Sequence, residues 1–364
     1  MARPSKRSPI EAWRSLPAEV RFARATAYVR RNGEKLRAKY DAVGVGVGFP
    51  TVRPTAKARA KPRSTRARLK RTKAGEIRTN EICIRFLVAK KLEGMRPDDP
   101  KFVPEYIETV MSFDGVRTRV AIPTDVQGRA PGRMQARRDL QKGIGVRSPG
   151  QESVRGSICC EVVTKGASPK RLVLSCHHVL AMSSNSPTFE PVKQATVTDR
   201  RASDVIASLY DTAEIKRNEV DGRLELRGLD AAVAELSTPD RLAMWGMPIT
   251  RLAKPFEFPK SLRVLTPIDL GPKQPRTSPL LAQFVEIQQY VVLHISKNVD
   301  LVVEDAIVYV ADTEGGDSGS AVVNAANELV GMHFYKTTDG FCYAMSAWRL
   351  FAPGVFAKPI ALVG

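Results

Sequence analysis

The chain of 364 residues is 43% hydrophobic, enough for the cores of two domains, and holds no apolar run of about 18 residues that would cross a membrane. Its net charge of +19 is unevenly placed: residues 1–75 carry 21 Lys and Arg against four acids, while the remainder is close to balance at 36 against 34. Five cysteines (Cys83, Cys159, Cys160, Cys176 and Cys342) form no disulfide framework, and the basic N-terminus lacks the continuous apolar core of a secretory signal; free thiols and a cytoplasmic location are the expectation.

Ser8-Pro9-Ile10-Glu11 has the form of a helix start, with serine as cap and glutamate three residues on. A basic helical segment to about Tyr40 follows, broken near Pro17. Val43–Phe49 alternates valine with glycine at the period of a strand, and Ile82–Val88 is a second strand. Between them, residues 53–73 hold ten Lys or Arg and no acid, a composition that cannot bury apolar area; a basic loop is expected over 50–76. A helix over Phe102–Met111 and a strand over Val116–Ile122 would complete a small α+β module spanning 41–125. Residues 126–152 read as a linker. From 153 to 364 short β-branched runs recur between Gly, Pro, Asn and Asp, at 158–163, 172–174, 205–209, 231–236, 284–287, 290–295, 307–310, 321–323 and 329–334. Many short strands with few helices indicate a sandwich or barrel, and this length suits a pair of barrels.

Chemistry concentrates in three places. Gly315-Gly316-Asp317-Ser318-Gly319-Ser320 sets a serine among glycines, which let backbone N–H groups approach a reacting carbonyl. A strand-turn-strand pattern follows it, and position 320 is serine, so the strand-to-helix nucleophile elbow of the α/β-hydrolases does not fit. Serine needs a base to take its proton. The four histidines are His177, His178, His294 and His333; the last two lie inside strands, where a structural role is expected, whereas His177 and His178 follow the apolar strand Leu172–Ser175. An orienting carboxylate belongs on a buried strand, as Asp230 does in Leu229-Asp230-Ala231-Ala232-Val233; Asp221 is the fallback on a more polar stretch.

These motifs resemble those of the trypsin/chymotrypsin-like serine peptidases. Ser175-Cys176-His177-His178-Val179 is similar to the family's histidine motif and selects His178. Leu229-Asp230-Ala231-Ala232-Val233 is similar to its aspartate motif, and Gly316-Asp317-Ser318-Gly319-Ser320 to its serine motif, in the family's chain order. The resemblance implies a mainly β fold, a chymotrypsin-like double β-barrel behind the small α+β module and its N-terminal helix. It implies a His178, Asp230, Ser318 triad, an oxyanion hole from the Gly316 and Ser318 N–H groups, and a serine endopeptidase acting on protein or peptide substrates. Asp312 lies at the offset where trypsin-like members place the acid of the specificity pocket, implying cleavage after Arg or Lys. No activation site precedes the catalytic domain, so Asp317 is expected to find a local partner. The front module is similar to that of bacterial trypsin-like peptidases related to the plant narrow-leaf proteins, apart from its basic insertion.

No cofactor is expected, and no metal, since Cys159-Cys160 and His177-His178 lack ligand spacing. Residues 53–73 could hold nucleic acid or an acidic surface without reading sequence, having no aromatics for stacking. The competing reading is a non-catalytic, protease-like binding module that presents this basic arm.

Overall fold

Ser8 caps the first helix as its sequence predicts: its hydroxyl accepts from Glu11 N while the Glu11 carboxylate takes the Ser8 N–H. Helix α1 (Pro9–Arg14) stops short of Pro17, and α2 (Ala18–Lys39) runs on from there, burying Phe22, Ala25, Thr26, Val29 and Leu36 along one stripe. The computed structural model describes residues 8–52, 76–77, 81–89, 98–113, 115–128, 132–134, 146–147, 156–181, 196–199, 205–236, 249, 251–256, 261–266, 279–296 and 298–363. The basic block at 53–73 lies outside them.

The chain divides into two compact units. The first holds residues up to Ala130 together with Val285–Val291. After the helices come β1 (Ala42–Gly48), β2 (Thr51–Val52), β3 (Glu76–Ile77), β4 (Cys83–Val88), β5 (Tyr106–Phe113) and β6 (Val116–Gly128). Strand β1 pairs antiparallel with β4, β4 pairs parallel with β6, and β5 forms a hairpin with β6 at the sheet edge. The helix expected over Phe102–Met111 is therefore corrected to a loop and strand β5. Ile107 is buried and Thr109, Met111 and Phe113 are half-buried, while the residues between them are exposed, a period of two rather than 3.6. On its other side β1 pairs with Glu286–Val291, far along the sequence. The glycine alternation of β1 has its cause here: a Cβ on Gly48 would lie 2.1 Å from the Val285 oxygen and 2.3 Å from the Glu286 Cβ. Glu286 and Asp125 flank the buried Arg85 guanidinium at 3.5 and 3.4 Å, and Arg85 also donates to the Phe49 carbonyl at 2.9 Å.

The second unit holds Pro131–Phe284 and Val292–Gly364. Its strands are β7 (Gly132–Met134), β8 (Val146–Arg147), β9 (Cys160–Thr164), β10 (Arg171–Ser175), β11 (Thr196–Asp199), β12 (Val205–Thr212), β13 (Ile215–Val220), β14 (Arg223–Gly228), β15 (Ala232–Leu236) and β16 (Leu262–Leu265), then parts of β17 (Leu280–Ser296), β18 (Val299–Val310), β19 (Ala321–Asn324), β20 (Leu329–Thr337), β21 (Phe341–Ser346) and β22 (Ile360–Leu362). One-turn helices α3 (His177–Leu180) and α4 (Ala347–Leu350) complete it. One sheet has the order β22-β9-β10-β15-β12-β11-β8. In the other, the path β18-β21-β20-β19-β16-β17 returns to β18, a closed ring of six strands, and the β13–β14 hairpin extends it beside β18.

The mainly β fold behind N-terminal helices is as the sequence predicts. Three local expectations change. The runs at 284–287 and 290–295 are one 17-residue strand, β17. Residues 126–152, read as a linker, contain the end of β6 together with β7 and β8, which pair with β20 and β11. The module read as 41–125 also takes in Val285–Val291. No helix among the described residues is long and apolar enough to cross a membrane.

Candidate active site

Strands β10 and β15 run antiparallel with Ser175 opposite Ala232. The chain leaves β10 just after Ser175 and enters β15 just before Ala232, so the residues flanking these points meet. His178 stands on α3 and Asp230 on the lead-in to β15, both buried. Asp230 Oδ1 accepts the His178 backbone N–H at 2.9 Å, and Oδ2 is hydrogen-bonded to His178 Nδ1. One carboxylate thus fixes both the backbone and the ring of the histidine, and its own burial is compensated by two N–H donors. His178 Nε2 is buried with no hydrogen-bond partner among the described residues.

The other expected residues resolve around this pair. His177 is buried beside it, and burial, outweighing the pull of Asp230, holds its pKa down at about 4, so it is neutral at pH 7. Asp221 is exposed at the tip of the β13–β14 hairpin with φ 51°, without the burial the fallback acid would need. His294 binds Arg223 and Asp300, and His333 Nδ1 meets the Tyr309 hydroxyl at 2.6 Å, structural roles of the kind expected. Cys176 Sγ, His178 and Asp230 place donor atoms within 4.8 Å of one another, a grouping the sequence reading does not foresee. Its chemistry is not that of an open ligand set: His178 Nδ1 and Asp230 Oδ2 bond each other, and Cys176 Sγ donates to the His333 carbonyl at 3.4 Å. Burial, reinforced by Asp230, pushes the Cys176 thiol well up, which keeps it protonated and a poor nucleophile. All five cysteines are free and buried.

The Ser318 loop approaches the same place. His333 O accepts from both Cys176 Sγ and Gly319 N, the latter at 2.8 Å, so the histidine turn and the serine loop share one carbonyl. Ser157 ties them further. Its N–H reaches Ser318 O at 2.6 Å, its hydroxyl reaches Gly316 O at 2.8 Å, and its own carbonyl takes the Ser175 hydroxyl at 2.6 Å. Sequence reasoning does not single out Ser157, because nothing local marks a serine whose hydroxyl donates to a carbonyl 159 residues away. Gly319 has φ +94°, and a Cβ there would fall 1.9 Å from Ser157 O, so the loop closes only on glycine.

Within the loop, Asp317 N donates to Glu314 O at 3.2 Å, Ser320 N donates to Asp317 O at 2.9 Å, and Glu314 N donates to Asp317 Oδ2 at 2.8 Å. Asp317 therefore has the local partner expected of it. The N–H groups of Gly316 and Ser318, between and beside these, have no acceptor among the described residues. Ser318 is fully buried, and its hydroxyl donates to Phe334 O at 3.3 Å rather than to His178. Asp312 is exposed.

No family model and no curated protein sequence matches the chain. Among solved structures it is similar to the Rv3671c protease in its inactive form, with 13% identity, 58% of this chain and 86% of that chain covered, and a TM-score of 0.34. The active form of that protease from M. tuberculosis gives 14% identity, 56% and 82% coverage and a TM-score of 0.30. The HtrA-type protease AlgW with a decapeptide gives 14%, 60%, 59% and 0.31. Likenesses this distant carry no weight for activity, which leaves the geometry of the site to carry it.

Proposed function

We propose that the protein is a serine endopeptidase in which Ser318 is the nucleophile, His178 the general base and Asp230 the group that orients and charges-balances the imidazole. The observation that carries this reading is the buried Asp230 carboxylate holding both N–H groups of His178 while Nε2 is left without a partner. Hydrogen-bonding Nδ1 to a carboxylate puts the lone pair on Nε2, the nitrogen that would accept a proton. In the acylation step the Ser318 hydroxyl turns from Phe334 O to His178 Nε2, Oγ bonds the scissile carbonyl carbon, and Nε2 takes the proton. The oxygen that becomes negative is met by the Gly316 and Ser318 N–H groups, two donors of the loop that have no acceptor among the described residues. His178 then returns the proton to the departing amine, and water, deprotonated by the same histidine, releases the acyl group.

The cleavage after Arg or Lys expected from Asp312 has less support than the triad, since that carboxylate is exposed. The test of the triad is labelling with a small fluorophosphonate, read by mass spectrometry on wild type and Ser318→Ala. A single adduct on Ser318, absent from the variant, is the expected result. Absence of labelling in wild type refutes the peptidase reading and leaves the non-catalytic module, with residues 53–73 as its arm for nucleic acid or acidic partners.

A further inference from the structure

Helix α2 carries a second stripe beside its buried one. Arg24, Ala27, Tyr28 and Arg31 recur at helical spacing and form one wall of a cleft of about 710 Å³ within the first unit. The opposite wall is Thr109–Ser112 of β5, joined by Arg117 of β6, the ladder partner of Ser112. Because four consecutive strand residues line it, the cleft follows the edge of β5 rather than one of its faces.

Strand β5 is the outermost strand of its sheet among the described residues. Alternate residues of such a strand turn their N–H and C=O groups away from the sheet, an open template for a further strand. This edge is eight residues long, and Val110 in its middle is 51% exposed. Exposed large apolar side chains collect around it: of six among the described residues, Tyr106 and Val110 lie on β5, Val116 on β6 and Val20 on α2. Apolar surface gathered beside an open edge marks a place where another chain docks.

The charge of the cleft selects the occupant. Its lining has three arginines and no acid. Arg24 lies over the Phe113 ring, 5.4 Å from its centroid, and Arg31 Nε donates to Ala27 O at 3.3 Å. Neither of these nor Arg117 has a carboxylate within 4.0 Å among the described residues, and Glu108, the acid within β5, is taken by Arg119. A second copy of the chain pairing edge to edge through β5 would bring two such sets of arginines together, which like-charge repulsion opposes. A nucleic acid would answer the charge but leave the main-chain groups of the edge unpaired.

We propose that the cleft between α2 and β5 is a docking groove for an acidic, extended peptide segment of a partner protein, which adds to the sheet as a strand along β5 while its carboxylates meet Arg24, Arg31 and Arg117. Main-chain hydrogen bonds to β5 supply affinity for any extended segment, and the arginines supply the preference for acid. The groove stands in the first unit, and the inference holds whether or not Ser318 is a nucleophile.

The test uses the full chain carrying Ser318→Ala, so that a probe is not cleaved, and the fluorescence anisotropy of a labelled octapeptide of alternating glutamate and valine. The comparison probes are its lysine–valine counterpart, two N-methylated forms of the acidic peptide, each methylated at one alternate set of residues, and octathymidylate. The acidic peptide should bind and the lysine peptide should not, and Arg31→Glu and Arg117→Glu should each weaken binding about tenfold or more. One methylated form should lose about tenfold or more and the other should bind as the parent does, since only alternate N–H groups of an added strand face its neighbour. No binding of the acidic peptide overturns the proposal. Loss in both methylated forms, or in neither, overturns the added strand; this pair is read on the unmutated groove, so it decides even if a charge reversal disturbs folding. Affinity unmoved by both reversals in folded protein places the peptide elsewhere and overturns the groove. Displacement of the peptide by octathymidylate, with the same sensitivity to the reversals, assigns the groove to nucleic acid and overturns the proposal also.

Discussion

His177 makes a quantitative claim about acid stability. The ring is buried next to the site, and burial holds its pKa at about 4, from an ordinary value of 6.5. Because the folded pKa is depressed, the unfolded chain binds the proton first as pH falls. Stability is complete above pH 6.5 and drains away as pH falls toward the folded value. The linkage gives a loss of about 2 kcal/mol by pH 5 and about 3 kcal/mol by pH 4 from this one group. The perturbation is His177→Leu, which carries a packing cost of its own that does not depend on pH. Urea unfolding of wild type and variant at pH 8, 7, 6 and 5, with the m-values compared, gives the difference in stability at each pH. The groups common to both proteins cancel in that difference, which should move by about 2 kcal/mol in the variant's favour between pH 8 and pH 5. A difference that stays flat within about 0.5 kcal/mol over this range refutes a buried neutral His177.

Asp230→Asn removes the acceptor for Nδ1–H and favours the wrong imidazole tautomer, so the rate of Ser318 labelling should fall about a thousandfold or more while the fold is kept; a change below about tenfold in labelling kinetics would place Asp230 outside the mechanism. Arg85→Leu strands Asp125 and Glu286 in the first unit and should cost about 3–5 kcal/mol near neutral pH by urea unfolding. Burial already pushes the Glu286 carboxyl up against the opposing pull of Arg85. Without the guanidinium that pKa rises further, the stabilising protonated form persists at low pH and is lost as pH rises, and the deficit of the variant should shrink between pH 8 and pH 5. A deficit that is constant with pH would remove Glu286 from the explanation.

What the sequence made legible was whatever a short stretch could specify alone. The capped start at Ser8, the break at Pro17 and the strand periods of β1 and β4 need only neighbours a few residues away. The same holds for the serine motif, where Gly319 is required by its own φ, and for Asp230, whose position in an apolar run already demanded a partner. Some local signal went unused. Asp221-Gly222 between alternating residues is a two-residue hairpin turn, and both residues take positive φ between β13 and β14. Other features had no local trace. The valine-glycine alternation of β1 announces a strand, but the reason for its glycines is the Val285–Glu286 backbone, more than 230 residues on. Ser157 and Arg85 are ordinary residues until the fold supplies their partners.

The resting position of Ser318 bears on how such a site would be held ready. Its hydroxyl makes a single hydrogen bond, to Phe334 O at 3.3 Å, worth about 0.5–1.5 kcal/mol net. The backbone around it is fixed much more firmly. Ser157 grips the carbonyls of Gly316 and Ser318, Gly319 is locked between Ser157 and His333, and Asp317 closes on Glu314 within its own loop. On the proposed peptidase reading, the Gly316 and Ser318 N–H groups would be oriented before substrate arrives, which is where such a site gains most, since dipoles already oriented cost no reorganisation during the reaction. On the same reading, an activation that rebuilds the loop by capturing Asp317 would first have to break its hydrogen bond to Glu314 N.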